Sequence, residues 1–247
     1  MRFVLALAAT LTATTALAGG LGEMTADERT AFQAEVKAYL LANPEVIVEA
    51  MTELQTREDQ AAADRDLKML ADNKDIIYHN PADWVGGNPA GDITVVEFMD
   101  YRCGYCRKAY QEVEDLVSTD GKIRFVLKEF PILGDQSLLS SQFAIAVKML
   151  YGDDAYKAAH DALITLRGDA TDETLARLAQ ELGHDPAAVA EKMKAPEVMD
   201  IIKANHALAD TMEINGTPTF VIDQTMVRGY VPLDGMRQIV DGQRNEG

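Results

Sequence analysis

The sequence predicts an α/β fold in which a βαβ half and a ββα half are separated by an inserted block of helices and preceded by a helical arm. Three observations carry this. Ile93 to Met99 (ITVVEFM) and Ile123 to Leu127 are apolar, β-branched runs of the kind that strands buried on both faces show, and a helical pattern joins them. Between about Asp135 and Met212 every apolar set follows a 3.6-residue period. Strand patterning returns at Thr219 as a hairpin, and one helix follows it.

Taken in order, the chain opens with Met1-Arg2, an apolar stretch Phe3 to Ala9, a Thr-rich segment and Ala16-Leu17-Ala18 before Gly19. A positive start, a short apolar core and a small-x-small end describe a cleavable export leader over residues 1–18. It is shorter than the roughly 20 apolar residues a membrane span needs. The arm is expected over residues 19–75. Phe32, Val36, Tyr39 and Leu40 recur at helical spacing, and Asn43-Pro44 caps and restarts the helix. Ile47, Met51 and Leu54 continue the apolar stripe, which stops at the polar run Gln55 to Gln60. The arm therefore reads either as helices lying on the domain or as an oligomerisation arm with a bendable spacer.

The α/β domain is expected over residues 76–134 and 213–247. Ile76 to Tyr78 reads as a short strand, and Gly86-Gly87-Asn88-Pro89 with Gly91 as turn material. Between the two buried runs, Ala109, Val113, Leu116 and Val117 share one helical face, so a helix starts near Cys103 and ends before Ser118. Strand, helix, strand makes a right-sized parallel crossover. The insertion, residues 135–212, carries the stripes Leu139, Phe143, Val147 and then Leu175, Leu178, Leu182, with later helices starting at Asp185-Pro186 and Ala195-Pro196. Asn205 is the polar exception on the last apolar face. Thr219 to Ile222 and Met226 to Arg228 flank a turn, and Leu233, Met236, Ile239 and Val240 mark the final helix.

Composition narrows the function. In 247 residues, 23 Lys plus Arg face 40 Asp plus Glu, a net charge of −17 that disfavours nucleic acid or anionic lipid as the main partner. A hydrophobic content of 47% supports a real core. The 2 cysteines exclude a disulfide-dense scaffold and a four-cysteine zinc site. They sit together as Cys103-Gly104-Tyr105-Cys106, where a buried strand meets a helix N-terminus. Unpaired backbone N–H groups and the positive end of the helix dipole stabilise a thiolate there, so Cys103 is the expected nucleophile and Cys106 the resolving thiol. As a purely structural bridge the pair would close a very short loop, worth only about 2 kcal/mol in the chain-entropy treatment. A zinc site would need further ligands, and His79, His160, His184 and His206 include no close pair, although Cu(I) could use the two sulfurs alone.

VEFMDYRCGYC (Val96 to Cys106), KEFPILG (Lys128 to Gly134) and GTPTF (Gly216 to Phe220), with helices between the last two, resemble the DsbA-like family of periplasmic thiol-disulfide oxidoreductases. The resemblance covers about Asp75 to the C-terminus and implies a thioredoxin fold whose helical insertion caps the active-site face. It implies that Glu97 is a buried acid able to exchange a proton with Cys106. It places a cis-proline at Pro218, which would bring the Thr217 backbone beside Cys103 to pair with an extended client. Lys128 is expected either to pair with Glu97 or to stand on the surface. Gly104, Tyr105, Thr217 and Pro218 are the expected substrate-contacting residues, and no metal or dissociable cofactor is expected. Gly-Tyr between the cysteines and Thr before the proline resemble the disulfide isomerases DsbC and DsbG. The N-terminal arm resembles that of trimeric ScsC. Tyr105 offers no cation, so the helix terminus must supply most of the thiolate stabilisation. The expected setting is the periplasm, with exported cysteine-containing proteins as substrates, a membrane redox partner that recycles the site, and a homodimer or homotrimer joined through the arm. The competing class is a copper-binding or chaperone-like module using the same two cysteines.

Overall fold

The computed structural model describes residues 24–246 of the chain; the expected leader, residues 1–18, lies outside them. Two compact units divide it, one up to Gln60 and one from Ala61. The first is helical. α1 (Ala26–Ala42) is started by a capping box in which Thr25 and Glu28 satisfy each other's backbone N–H groups. α2 (Glu45–Asp72) follows the break at Asn43-Pro44, as the proline requires. Gln55 to Gln60, read as a spacer, are helical. No residue of α1 is buried, and Leu70 alone is buried in α2.

The larger unit begins within α2, earlier than the expected limit near Asp75, because Leu70 joins a buried cluster with Ile77, Val96, Phe98 and Val126. Asp66 of the same helix forms a bidentate pair with Arg228, at 2.7 and 2.8 Å. α3 (Lys74–Tyr78) is a helix where a strand was expected. Three apolar residues suit either form, and here the helical turn buries Ile77 completely while the Tyr78 hydroxyl donates to the Asp223 carbonyl at 2.5 Å.

β1 (Trp84–Gly87) corrects a second expectation, since Gly86 and Gly87 belong to a strand. Gly86 is needed because the Trp84 ring covers it, so that a Cβ would lie 2.0 Å from a ring carbon, and Gly87 because its backbone is left-handed (φ 65°) and a Cβ would lie 2.4 Å from the Ile123 carbonyl oxygen. Trp84 in turn stacks on Tyr156 and meets Phe125 edge-on, and its indole N–H donates to the Asp153 carbonyl at 3.1 Å.

β2 (Ile93–Met99), α4 (Gly104–Asp120) and β3 (Ile123–Glu129) form the expected crossover with parallel strands. The helix ends one turn later than expected, at Gly121, whose left-handed backbone (φ 71°) closes it. The insertion comprises α5 (Asp135–Tyr151), α6 (Asp153–Ile164), α7 (Asp172–Glu181), α8 (Pro186–Met193) and α9 (Pro196–Thr211). β4 (Thr219–Ile222), β5 (Thr225–Arg228) and α10 (Leu233–Glu246) complete the unit. The sheet order is β1-β3-β2-β4-β5, with β2 and β3 parallel and the other pairs antiparallel.

Strand parity divides the sheet chemically. Val95, Glu97 and Met99 face the cluster that holds Cys103, Cys106, α4 and most of the insertion. Val96, Phe98, Val126 and Lys128 face α3 and α9. Asn205 of α9 spans this second side, donating its side-chain amide to the Glu129 carbonyl at 3.0 Å.

Candidate active site

The end of β2 and the start of α4 position the two sulfurs. Cys103 is the residue that caps α4, with extended backbone (φ −72°, ψ 119°), and its N–H donates to the Asp100 carbonyl at 3.1 Å. Its own carbonyl accepts the Arg107 N–H at 3.1 Å, the first bond of the helix. No acidic residue occupies the first turn, so nothing there opposes negative charge at the helix start. Cys106 lies inside the helix and is 1% exposed, against 7% for Cys103. Both are free thiols.

Their environments push the two thiols apart. The Cys106 thiol, the Thr217 side chain and the N–H groups of Cys106 and Tyr105 bring Cys103 down to about 5, against the opposing effect of burial. Cys106 is pushed far up by its bond to Cys103, by burial and by the charge of Glu97. One sulfur is thus ionised at neutral pH while its neighbour keeps its proton.

The GTPTF segment approaches from β4. The Thr217-Pro218 bond is cis, and the Cys103 Sγ lies 3.1 Å from the Thr217 carbonyl oxygen. Glu97 lies across from Phe220 of β4 and Leu127 of β3, on the face of the sheet that carries the cluster holding both cysteines. Burial first, then the charges of Cys103 and Glu114, raise its carboxyl to about 8. Gly104 and Tyr105 are exposed beside Cys103, Tyr105 at 63%.

The structure therefore brings Glu97, Cys103, Cys106, Gly104, Tyr105, Thr217 and Pro218 to one place, but not Lys128. Lys128 is opposite Phe98 in the parallel ladder, one position beyond the Glu97–Leu127 pair, so its side chain leaves the other face of the sheet. It neither pairs with Glu97 nor reaches solvent. Its ammonium, fully buried, donates to Asp83 and to the Ile76 carbonyl at 2.8 Å. Burial drives Lys128 down and Asp83 up, and their mutual attraction opposes both shifts.

Two buried acids supporting the site carried no signal of their own in the sequence. Asp100 is fully buried and accepts from the Arg102, Ile132 and Leu133 N–H groups at 2.7, 2.8 and 3.0 Å and from the Ser137 hydroxyl at 2.7 Å. One carboxylate thereby fixes the turn before Cys103, the Pro131 to Gly134 loop and the start of α5. Glu129 accepts from Tyr101, Tyr156 and Ser141 at 2.8, 2.6 and 2.7 Å, joining the sheet to α5 and α6. Burial raises its carboxyl to about 7 despite those donors.

A CxxC at the start of a helix, facing a cis X-Pro bond at the end of a central strand, defines a thioredoxin-fold thiol site. The family model described as thioredoxin matches residues 79–242, and that of the copper resistance protein ScsC N-terminal domain matches residues 28–61. The chain belongs to the thioredoxin family. A thioredoxin-like oxidoreductase from Silicibacter pomeroyi is 40% identical, with a TM-score of 0.66 over 70% of this chain and 98% of that one. The thiol-disulfide exchange protein alpha-DsbA2 from Wolbachia pipientis is 26% identical, with a TM-score of 0.68 over 74% and 98%. The Na(+)/H(+) antiporter NhaA 3 of Salinispora tropica is 28% identical over 158 residues, 64% of this chain and 24% of that protein. The chain thus spans about a quarter of the length of the curated relatives it matches. Among the described residues no helix is long and apolar enough to cross a membrane.

Proposed function

We propose that the chain is an exported thiol-disulfide oxidoreductase that forms, exchanges or isomerises disulfides in cysteine-containing client proteins. The observation that carries this reading is the opposed pair of thiols, Cys103 lowered to about 5 and Cys106 held protonated one helical turn away. The Cys103 thiolate attacks one sulfur of a client disulfide, forming a mixed disulfide and expelling the other client sulfur as a thiolate. Cys106 then loses its proton and attacks the Cys103 sulfur, closing the Cys103–Cys106 bond and releasing the second client thiol. Run backwards, the same steps oxidise a client dithiol. Glu97 is the proton carrier for Cys106: raised to about 8, its carboxyl is mostly protonated at neutral pH, and its ionised fraction takes the proton that Cys106 gives up. Client backbone pairs beside Thr217 and Pro218, while Gly104 and Tyr105 flank the incoming sulfur.

We further propose that the arm joins two or three copies. Phe32, Val36, Tyr39, Leu41, Val48 and Met51 are exposed on it, a concentration of apolar surface that marks an interaction site. The match of residues 28–61 to the ScsC N-terminal domain supports this reading. Joined sites raise the effective concentration of a second site around a held client, which favours isomerisation. A periplasmic setting and a membrane partner that recycles the cysteines complete the proposal. Glutathione titration of the Cys103–Cys106 pair tests it: an oxidising potential assigns a disulfide donor, a reducing one a shuffler or reductase, and a pair that never closes refutes exchange. Cu(I) held by the two sulfurs is the second reading, prompted by the name of the matched arm domain, and the same titration with and without Cu(I) separates the two.

A further inference from the structure

Tyr230, which follows β5, is tied to the thiol site from two sides. The preceding Gly229 donates its N–H to the Pro218 carbonyl at 2.9 Å, joining this segment to the loop whose Thr217 carbonyl touches Cys103. The Tyr230 ring stacks on Tyr105, the residue before Cys106, with centroids 6.2 Å apart and planes 26° from parallel. Tyr230 is itself held in place. Its hydroxyl donates to Glu112 of α4 at 2.8 Å, and the other oxygen of that carboxylate accepts the Leu233 N–H at 2.8 Å. The Lys108 ammonium sits 4.1 Å from the ring centroid. Tyr105, by contrast, is 63% exposed. The second ring fixes the orientation of Tyr105 while leaving much of its surface open.

On the reading that Cys103 exchanges disulfides, we propose that Tyr230 is a positioning residue that holds Tyr105 as an aromatic wall of the client groove, and that this wall selects clients with an aromatic residue beside the reacting cysteine. A client whose sulfur reaches Cys103 and whose backbone runs along Thr217 must pass between that loop and Tyr105. The residue next to its cysteine then meets the exposed ring. An offset or edge-on aromatic contact of this kind corresponds to about a twofold to tenfold preference over a small polar side chain.

Two symmetric peptide disulfides, alike except for Phe or Ser beside the cysteine, test this with the full mature chain in its dithiol form. Stopped-flow reduction gives the ratio of the two second-order rates. In the parent the ratio is expected to favour Phe by about twofold to tenfold, and in Tyr230→Ala and Tyr105→Ala to fall to about one. Tyr230→Phe, which keeps the ring and loses the bond to Glu112, is expected to fall between and covers the case in which the alanine variant misfolds. Unchanged discrimination in folded Tyr230→Ala, equal slowing with both peptides, or no preference in the parent would overturn the proposal. Parent exchange with 2-hydroxyethyl disulfide, which carries no side chains, reports on the underlying chemistry: its absence would refute disulfide exchange itself, and its presence without discrimination would refute only the aromatic wall.

Discussion

Replacing Glu97 by Gln separates the acid's cost to the fold from its use in chemistry. The carboxyl is buried and raised from 4.5 to about 8, first by burial. In the unfolded chain it ionises near 4.5, so between pH 4.5 and 8 the native state binds a proton that the unfolded state does not. Native stability therefore falls as pH rises through that window. At pH 7, about 2.5 pH units into it, the penalty is about 3 kcal/mol, and it levels off above pH 8. Gln has the same shape and no charge to desolvate. Urea unfolding of reduced parent and Glu97→Gln should give nearly equal stability at pH 4 and a gain for the variant of about 3 kcal/mol at pH 7. The charges of Cys103 and Glu114 also raise Glu97, so the gain in the variant includes the loss of their repulsion, while groups that do not face Glu97 are common to both proteins and cancel in the difference. A stability difference that does not change between pH 4 and pH 7 would refute the burial argument. In the same variant the second step of exchange, closure by Cys106, should slow while formation of the mixed disulfide does not.

The remaining expectations concern the thiol and the far side of the sheet. Alkylation of Cys103 by iodoacetamide should titrate with a midpoint near pH 5; a midpoint at 8 to 9, where an ordinary thiol ionises, would contradict the activated thiolate. Lys128→Met should leave Asp83 buried without its partner and cost about 3–5 kcal/mol, read by urea unfolding, while the Cys103 midpoint stays put because the lysine leaves the opposite face of the sheet. Deleting residues up to Gln60, the first compact unit, should reduce an oligomer to a monomer in light scattering and remove scrambled-disulfide isomerisation while dithiol oxidation persists. A full-length mature chain that is monomeric at micromolar concentration would contradict the role given to the arm.

The parts of the fold that were legible in the sequence are those whose pattern is local. ITVVEFM could hardly be other than a strand buried on both faces, and Pro186 and Pro196 mark their helix starts in the residues themselves. Gly86-Gly87 looked like a turn because the reasons for the glycines, the Trp84 ring over Gly86 and the Ile123 carbonyl against Gly87, exist only once the strand has formed. Cys103 and Cys106 were legible because helix-start chemistry acts within a few residues. Neither expectation for Lys128 holds, because adjacency of two strands does not give their register, and a one-position difference in register sends Lys128 and Glu97 to opposite faces. Asp100 and Glu129 escaped notice for a related reason. Their partners lie up to 37 residues away in sequence, at Ser137 for Asp100 and at Tyr101 and Tyr156 for Glu129, and no spacing within a single element announces them.

The central claim is that Cys103 attacks and Cys106 resolves, and trapping the intermediate tests it most directly. Full-length Cys106→Ser, mixed with a disulfide-bonded client and examined by mass spectrometry under non-reducing conditions, should accumulate a one-to-one adduct at Cys103 that dithiothreitol releases. Cys103→Ser should form none, and the parent should turn the client over without a lasting adduct. Equal loss of exchange in both variants, with no adduct in either, would contradict the division of labour between the two thiols and leave the pair as a bridge or a metal site.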